Sequence, residues 1–168
     1  MQVFGVVGWK NNGKTTLVER LVGHLTEAGY GVSTVKHAHH EVDLDQPGKD
    51  SWRHRQAGAR EVVLATARRW AVIHELREEA EPPLEALLAR MTPVDLVIVE
   101  GFKRFSHPKL EVHRRERGTP LLAAEDDSIV ALATDEPLRE LRLPQFGLDD
   151  VPAIAAFVLE RAAPWSSR

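Results

Sequence analysis

The chain has no cysteine in its 168 residues, which excludes disulfides, thiolate catalysis and every metal site built on cysteine. Any metal must be met by oxygen or imidazole. No apolar run is long enough to span a bilayer, and the first residues read as a strand, not as the basic-then-apolar pattern of a signal peptide. The expectation is a cytoplasmic protein with no membrane partner. An excess of one charge is also missing: 22 Lys and Arg stand against 25 Asp and Glu, for a net charge of -3. The molecule as a whole therefore offers no electrostatic footprint for nucleic acid. Internal repeats and low-complexity segments are absent. With 43% hydrophobic residues the chain can bury one ordinary core, and the reading is a single domain over 1–168 with a β insertion at about 102–124.

What is present alternates. "QVFGVVG" reads as a buried strand, and "KTTLVERLVGHLTEAG" places Leu17, Val18, Leu21, Val22 and Leu25 at helical spacing before a stop at Gly29. "YGVSTVKH" is a second strand. "DSWRHRQAGA" reads as a short helix with Asp50 or Ser51 as N-cap and Gly58 as its end. "EVVLAT" and "WAVIHEL" are strands about a turn at Ala67 to Arg69, and "EPPLEALLARM" is a helix opened by Pro82 and Pro83. The continuous apolar run in "VDLVIVEG" marks a central parallel strand covered on both faces. Beyond it, "KLEVHRRE", "PLLAA" and "SIVALAT" have strand character, "EPLREL" suits a helical turn, and "DDVPAIAAFVLERAA" is a closing amphipathic helix with Asp149 or Asp150 at its start. This order predicts an α/β fold, a three-layer sandwich with a mostly parallel central sheet and a small β appendage.

The densest chemistry lies between the first strand and the first helix, in "GWKNNGKTT". Gly8, Gly13, Lys14 and Thr15 match G-x-x-x-x-G-K-[ST], with the strand before and the helix after that the pattern requires. Glycines let the chain curl so that backbone N–H groups converge on a polyphosphate, and the helix adds the positive end of its dipole. Gly8, Trp9, Lys10, Asn11, Asn12, Gly13, Lys14, Thr15 and Thr16 are therefore the candidate phosphate loop. Lys14 would reach the β- and γ-phosphates, the Thr15 hydroxyl would ligate Mg²⁺, and Thr16 would meet the α-phosphate.

Such a loop needs an acidic partner for the metal. "VDLVIVEG" offers Asp95 and Glu100. Ligands in open α/β sheets sit at the carboxyl ends of strands, which favours Glu100, with Asp95 about 17 Å away along the same strand. A polar loop, "KHAHHEVDLDQPGKDSWRHR", leaves the same edge. In it Lys36 could meet phosphate, Asp43, Asp45 and Asp50 could face the metal, and His37, His39, His40 and His54 could bind a metal or an anion. Asp50 combines a helix start with a metal-facing role. Lys14, Asp50 and Glu100 are the candidate catalytic residues, and Thr15, Glu100 and Asp50 the candidate metal ligands. The guanine signature N-K-x-D is absent, but "SIVALATD" ends a late strand at Thr134 and Asp135. A carboxylate there could accept both N1–H and N2–H of guanine, a pairing adenine cannot supply, or could cap the turn that follows.

Together, "GWKNNGKTTL", "VKHAHH" running into "DQPGKDSWRHRQAGA", "VEGFK" and "ALATD" resemble the molybdopterin-guanine dinucleotide biosynthesis protein B family over nearly the whole chain. The resemblance implies a P-loop fold of the class that includes signal-recognition and nitrogenase-type ATPases and GTPases. It also implies a homodimer formed through strands outside the nucleotide core, binding of GTP with Mg²⁺, and weak GTP hydrolysis. The implied role is that of an accessory to the guanylyltransferase, protein A of the same pathway, that attaches GMP to molybdopterin. It places Gly8 to Thr16 in the phosphate loop, Glu100 to Lys103 at the end of the Walker B strand, and Asp50 in the "GKDS" segment. Relatives with a second loop lysine carry it five residues before the Walker lysine; here that position is Trp9, with Lys10 one place later.

The segment from Phe102 to Gly118 carries six Lys or Arg against two Glu. These charges could be gatekeepers on an edge strand, or Lys103, Arg104, Lys109, Arg114 and Arg115 could meet the molybdopterin phosphate or an acidic partner. Two other functions fit the residues. A small-molecule kinase would use the phosphate loop with arginines of "RHR" over the transferring group. A GTPase metallochaperone would hold its metal on His37, His39 and His40.

Overall fold

Alternating strands and helices close into a mostly parallel sheet with flanking helices in the computed structural model, which describes residues 1–38 and 45–165. Two compact units are present, one formed by Met1–His37 with Leu88–Arg168 and one by Ala38–Leu87.

In the first unit the strand order is β2 (Val32–Lys36), β5 (Leu96–Glu100), β1 (Gln2–Val7), β6 (Lys109–His113), β7 (Ile129–Thr134), β8 (Gln145–Gly147), with all five pairings parallel. The two-residue β9 (Ala163–Pro164) runs antiparallel to the start of β1. The apolar run of β5 is buried at every position, as a central parallel strand demands. Leu17, Val18, Leu21 and Leu25 share one stripe of α1 (Lys14–Glu27). With Ile154, Ala155 and Val158 of α4 (Val151–Arg161) they pack on Phe4, Val6, Ile98, Leu110 and Val112 of the sheet. Each such Leu or Ile contributes about 1.5–3 kcal/mol by leaving water. α1 stops where the sequence says it should: Gly29, at φ 92°, donates to the Thr26 carbonyl and Tyr30 N–H reaches Leu25, the paired closure of a Schellman end. Asp150 caps α4 by accepting the Ala153 N–H at 3.3 Å.

The opposite face of the sheet holds a surprise in β6. Alternation sends Leu110 and Val112 to the helical side, so Lys109, Glu111 and His113 point the other way, and all three are buried. Lys109 Nζ pairs with Asp126 at 2.9 Å and donates to the Ser128 hydroxyl. The two Glu111 oxygens accept the N–H groups of Leu122 and Ala123 at 3.0 and 2.9 Å, fixing a 3-10 turn over Leu122–Ala124. "KLEVHRRE" is thus an interior strand between β1 and β7, and its Lys109 and Glu111 are buried partners of the loop that follows, not edge gatekeepers. "PLLAA" makes the 3-10 turn in place of a strand. The span 102–124 contributes β6 to the main sheet, and the small separate β sheet lies at 61–74.

That small sheet belongs to the second unit. β3 (Glu61–Ala65) and β4 (Trp70–His74) pair antiparallel, Glu61 opposite His74, and the Thr66 hydroxyl closes the turn by donating to the Arg69 carbonyl at 2.9 Å. α2 (Asp50–Gln56) precedes the hairpin and α3 (Leu84–Leu88) follows it. The N-cap of α2 is Lys49, one residue before the expected Asp50, and its side chain makes no capping bond. Asp50 sits in the first turn, where a negative charge suits the helix dipole. Asp45 is a scaffold residue: Oδ1 accepts the Ser51 hydroxyl at 2.9 Å, and Oδ2 lies 3.5 Å from Arg55 Nε.

Candidate functional site

The loop between β1 and α1 takes its shape from three left-handed residues, Gly8, Asn11 and Gly13, at φ 142°, 66° and 99°. Gly8 is required twice. Its φ is one that side chains avoid, and a Cβ there would meet the Val112 carbonyl oxygen at 2.4 Å. The loop therefore lies directly on the end of β6. From Gly13 the chain turns into α1, whose first-turn N–H groups have no acceptor inside the helix and face whatever the loop encloses. Lys14 folds back across the loop, donating from Nζ to the Trp9 carbonyl at 2.8 Å.

Two parallel ladders bring the acidic group to the same place. Glu100 pairs with Val6 of β1 on one side and Lys36 of β2 on the other, so all three end at one level of the carboxyl edge. Thr15 Oγ1 donates to Glu100 Oε1 at 2.9 Å, and Lys36 Nζ stands 3.3 Å from each of these oxygens. Burial pushes the Lys14 ammonium below its ordinary pKa; Glu100 opposes this, and Lys103 and Lys36 add to it. One carboxylate against three ammonium groups leaves a surplus of positive charge at the mouth of the loop, the balance that suits a polyanion. Among the described residues no cluster of three or more His, Asp or Glu gathers for a metal. A hydroxyl and a carboxylate side by side instead fit Mg²⁺, which takes most of its ligands from phosphate and water.

The far wall comes from the segment after β6. Trp9 Nε1 donates to the Pro120 carbonyl at 2.7 Å and Asn12 Nδ2 to the Thr119 hydroxyl at 3.4 Å, while the Arg114 guanidinium lies over Gly13. Lys103 Nζ is 4.2 Å from the centre of the Trp9 ring, a cation–π contact. Asp135 closes the wall. Its Oδ1 accepts the Arg115 N–H at 3.0 Å. Burial pushes the Asp135 carboxyl up, but backbone N–H groups led by Arg115 outweigh it and hold the pKa below the usual range. No helix begins at Asp135, which lies in a bend with Glu136, and the nearest turn after it is at 139–140.

The first unit thus gathers Gly8 to Thr16, Glu100 and Asp135, with Lys10, Asn11, Thr15 and Thr16 exposed and Asn12 buried. Asp50 lies in the second unit. Asp95 is at the other end of β5, where its Oδ2 accepts the Gly31 N–H at 2.7 Å. His37 stacks on Phe102 with ring centres 4.7 Å apart; His39, His40 and Asp43 lie outside the described residues. Sequence reasoning gave Lys36 only a phosphate contact and missed its ion pair with Glu100. The signal available was its place as the last residue of a strand leading to the same edge.

Residues 3–135 match the family described as Molybdopterin guanine dinucleotide synthesis protein B. The chain is 38% identical over 156 residues to the molybdopterin-guanine dinucleotide biosynthesis adapter protein of Haemophilus influenzae, a match covering 93% of this chain and 86% of that protein. It is 38% identical over 155 residues to the adapter protein of Escherichia coli, covering 90% and 88%. A crystal structure of molybdopterin-guanine biosynthesis protein B is similar at a TM-score of 0.74 and 30% identity, over 94% of this chain and 97% of that one.

Proposed function

The chain belongs to the molybdopterin guanine dinucleotide synthesis protein B family, and from that premise we propose that it is a GTP-binding adapter in molybdenum cofactor maturation. It assists guanylyl transfer to molybdopterin and is not itself the principal transferase. The observation that carries the nucleotide part is the meeting of Thr15, Glu100 and Lys14 at the mouth of a glycine-shaped loop.

In this reading Lys14 leaves the Trp9 carbonyl for the β- and γ-phosphates, and the first-turn N–H groups of α1 take the remaining phosphate oxygens. Thr15 and Glu100 would hold Mg²⁺, which would supply charge neutralisation for a bound polyphosphate. Asp135, kept ionised by its N–H donors, accepts from the guanine edge. No side chain among the described residues of the loop stands as an evident general base, consistent with weak GTP hydrolysis and a holding role.

The protein works as a homodimer in the cytoplasm, and its partner is the guanylyltransferase of the pathway. Exposed apolar residues of the hairpin support the dimer: Val63, Leu64, Trp70 and Val72 are 63%, 51%, 69% and 46% exposed. Lys103, Arg114 and Arg115 support contact with anionic molybdopterin or an acidic partner surface. Calorimetric titration with GTP and Mg²⁺ tests the site. Lys14→Ala is expected to lower affinity by about 100-fold or more, the scale of losing charge-assisted bonds to phosphate, and Glu100→Ala to remove chiefly the Mg²⁺ dependence. Unchanged binding in both variants would refute the site.

A further inference from the structure

The two oxygens assigned to Mg²⁺ already hold a cation. Lys36 Nζ stands 3.3 Å from Glu100 Oε1 and 3.3 Å from Thr15 Oγ1, while Thr15 donates to the same Glu100 oxygen at 2.9 Å. An ammonium so placed is shared by both oxygens and competes with a divalent ion for them. Register fixes it there, because Lys36 is the β2 partner of Glu100. Gly101 allows the close fit: the next turn of chain passes so near β2 that a Cβ on Gly101 would lie 3.0 Å from His37 Cβ.

The two partners differ in freedom. The Glu100 side chain is 10% exposed and the Lys36 side chain 55%. A carboxylate that deep is costly without a cation beside it, whereas a half-exposed lysine can swing away on its flexible stem. Mg²⁺ alone gives up its water reluctantly and would have to displace a tethered charge for two protein oxygens. When the ion arrives on a triphosphate, the displaced ammonium gains a new anion to bind.

On the nucleotide reading above, we infer that Lys36 is a tethered counter-ion. It closes the metal position of the nucleotide-free protein, keeps free divalent cations off Thr15 and Glu100, and transfers to the terminal phosphate when metal and triphosphate enter together.

Mn²⁺ alone is the probe, titrated into nucleotide-free protein and followed by the electron paramagnetic resonance of the free ion. Lys36→Gln is expected to bind Mn²⁺ about tenfold or more tightly than the unaltered protein, the scale of removing a unit charge at this distance in a watery setting. Lys36→Arg keeps the charge and is expected to keep Mn²⁺ out; it also serves as the folding control. In a separate titration with Mg²⁺ and GTP, Lys36→Gln is expected to bind more weakly than the unaltered protein. Equal Mn²⁺ affinity with and without Lys36 overturns the counter-ion role, and equal Mg²⁺-GTP affinity overturns the transfer to phosphate. Failure of the unaltered protein to bind Mg²⁺-GTP at all strikes the nucleotide reading, a result distinct from the Mn²⁺ comparison.

Discussion

His107 is held in its neutral form by where it lies. Its ring packs over Gly5, where a Cβ would come within 2.5 Å of Nε2, and neither ring nitrogen has a hydrogen-bond partner among the described residues. Burial pushes its pKa down to about 4; Lys109 adds to the shift and Asp126 opposes it. The unfolded chain would take up that proton near the ordinary value of about 6.5, so this residue's contribution to stability is complete above that pH. It is lost as the pH falls from about 6.5 towards 4. His74 works in the other direction: hydrogen bonds to Glu61 and then Glu79 raise its pKa, so its contribution is present below the unfolded value and fades as the pH rises. Comparing the protein with His107→Leu isolates the first effect. Urea denaturation at pH 7 and pH 4.5 should show the unaltered protein losing about 2 kcal/mol more than the variant. Parallel losses would show that His107 is solvated in the folded state.

At the scale of elements, the hairpin of β3 and β4 is the feature with the least local reason to be as it is. Val63, Leu64, Trp70 and Val72 give it strong strand character, yet they are largely exposed, and an isolated two-stranded hairpin is only marginally stable in water. In the homodimer proposed above a second copy of the chain would cover them, so Trp70→Lys together with Val63→Lys is expected to turn the dimer into a monomer. Analytical ultracentrifugation reads this directly; an unaltered dimer in the double variant would move the interface elsewhere. These strands were legible because β-branched and aromatic residues flank a short polar turn. The interior place of β6 was not. Its Lys, Glu and His alternate with Leu and Val as on a half-solvated edge strand, and only the distant Asp126 and the N–H groups of Leu122 and Ala123 reveal that they are buried. β8 and β9, of three and two residues, carry no periodicity to read. The N-cap of α2 was misplaced by one residue because Asp45, six positions upstream, takes the Ser51 hydroxyl that a local cap would have used.

Across the whole molecule, a chain with a net charge of -3 concentrates ammonium groups at one edge of its sheet. Topology explains how. Strands β1, β2, β5, β6 and β7 all run the same way, so Lys36 at the end of β2 and the segments carrying Gly8, Lys103, Arg114 and Asp135 emerge together. The glycine-shaped turn from β1 into α1 and the place of Glu100 at the strand edge could be read from sequence because the motif's spacing encodes backbone geometry directly. The ion pair of Lys36 with Glu100 could not, because it depends on which strands become neighbours. Trp9 ties the loop to Pro120 and receives Lys103 from the same chain. In the proposed function the nucleotide is GTP, chosen through Asp135. A calorimetric titration of the purified protein with GTP and with ATP, each with Mg²⁺, tests it most directly. GTP should bind about tenfold or more tightly, as expected for a hydrogen-bonding edge that adenine leaves unpaired; equal affinity for the two nucleotides would contradict the account.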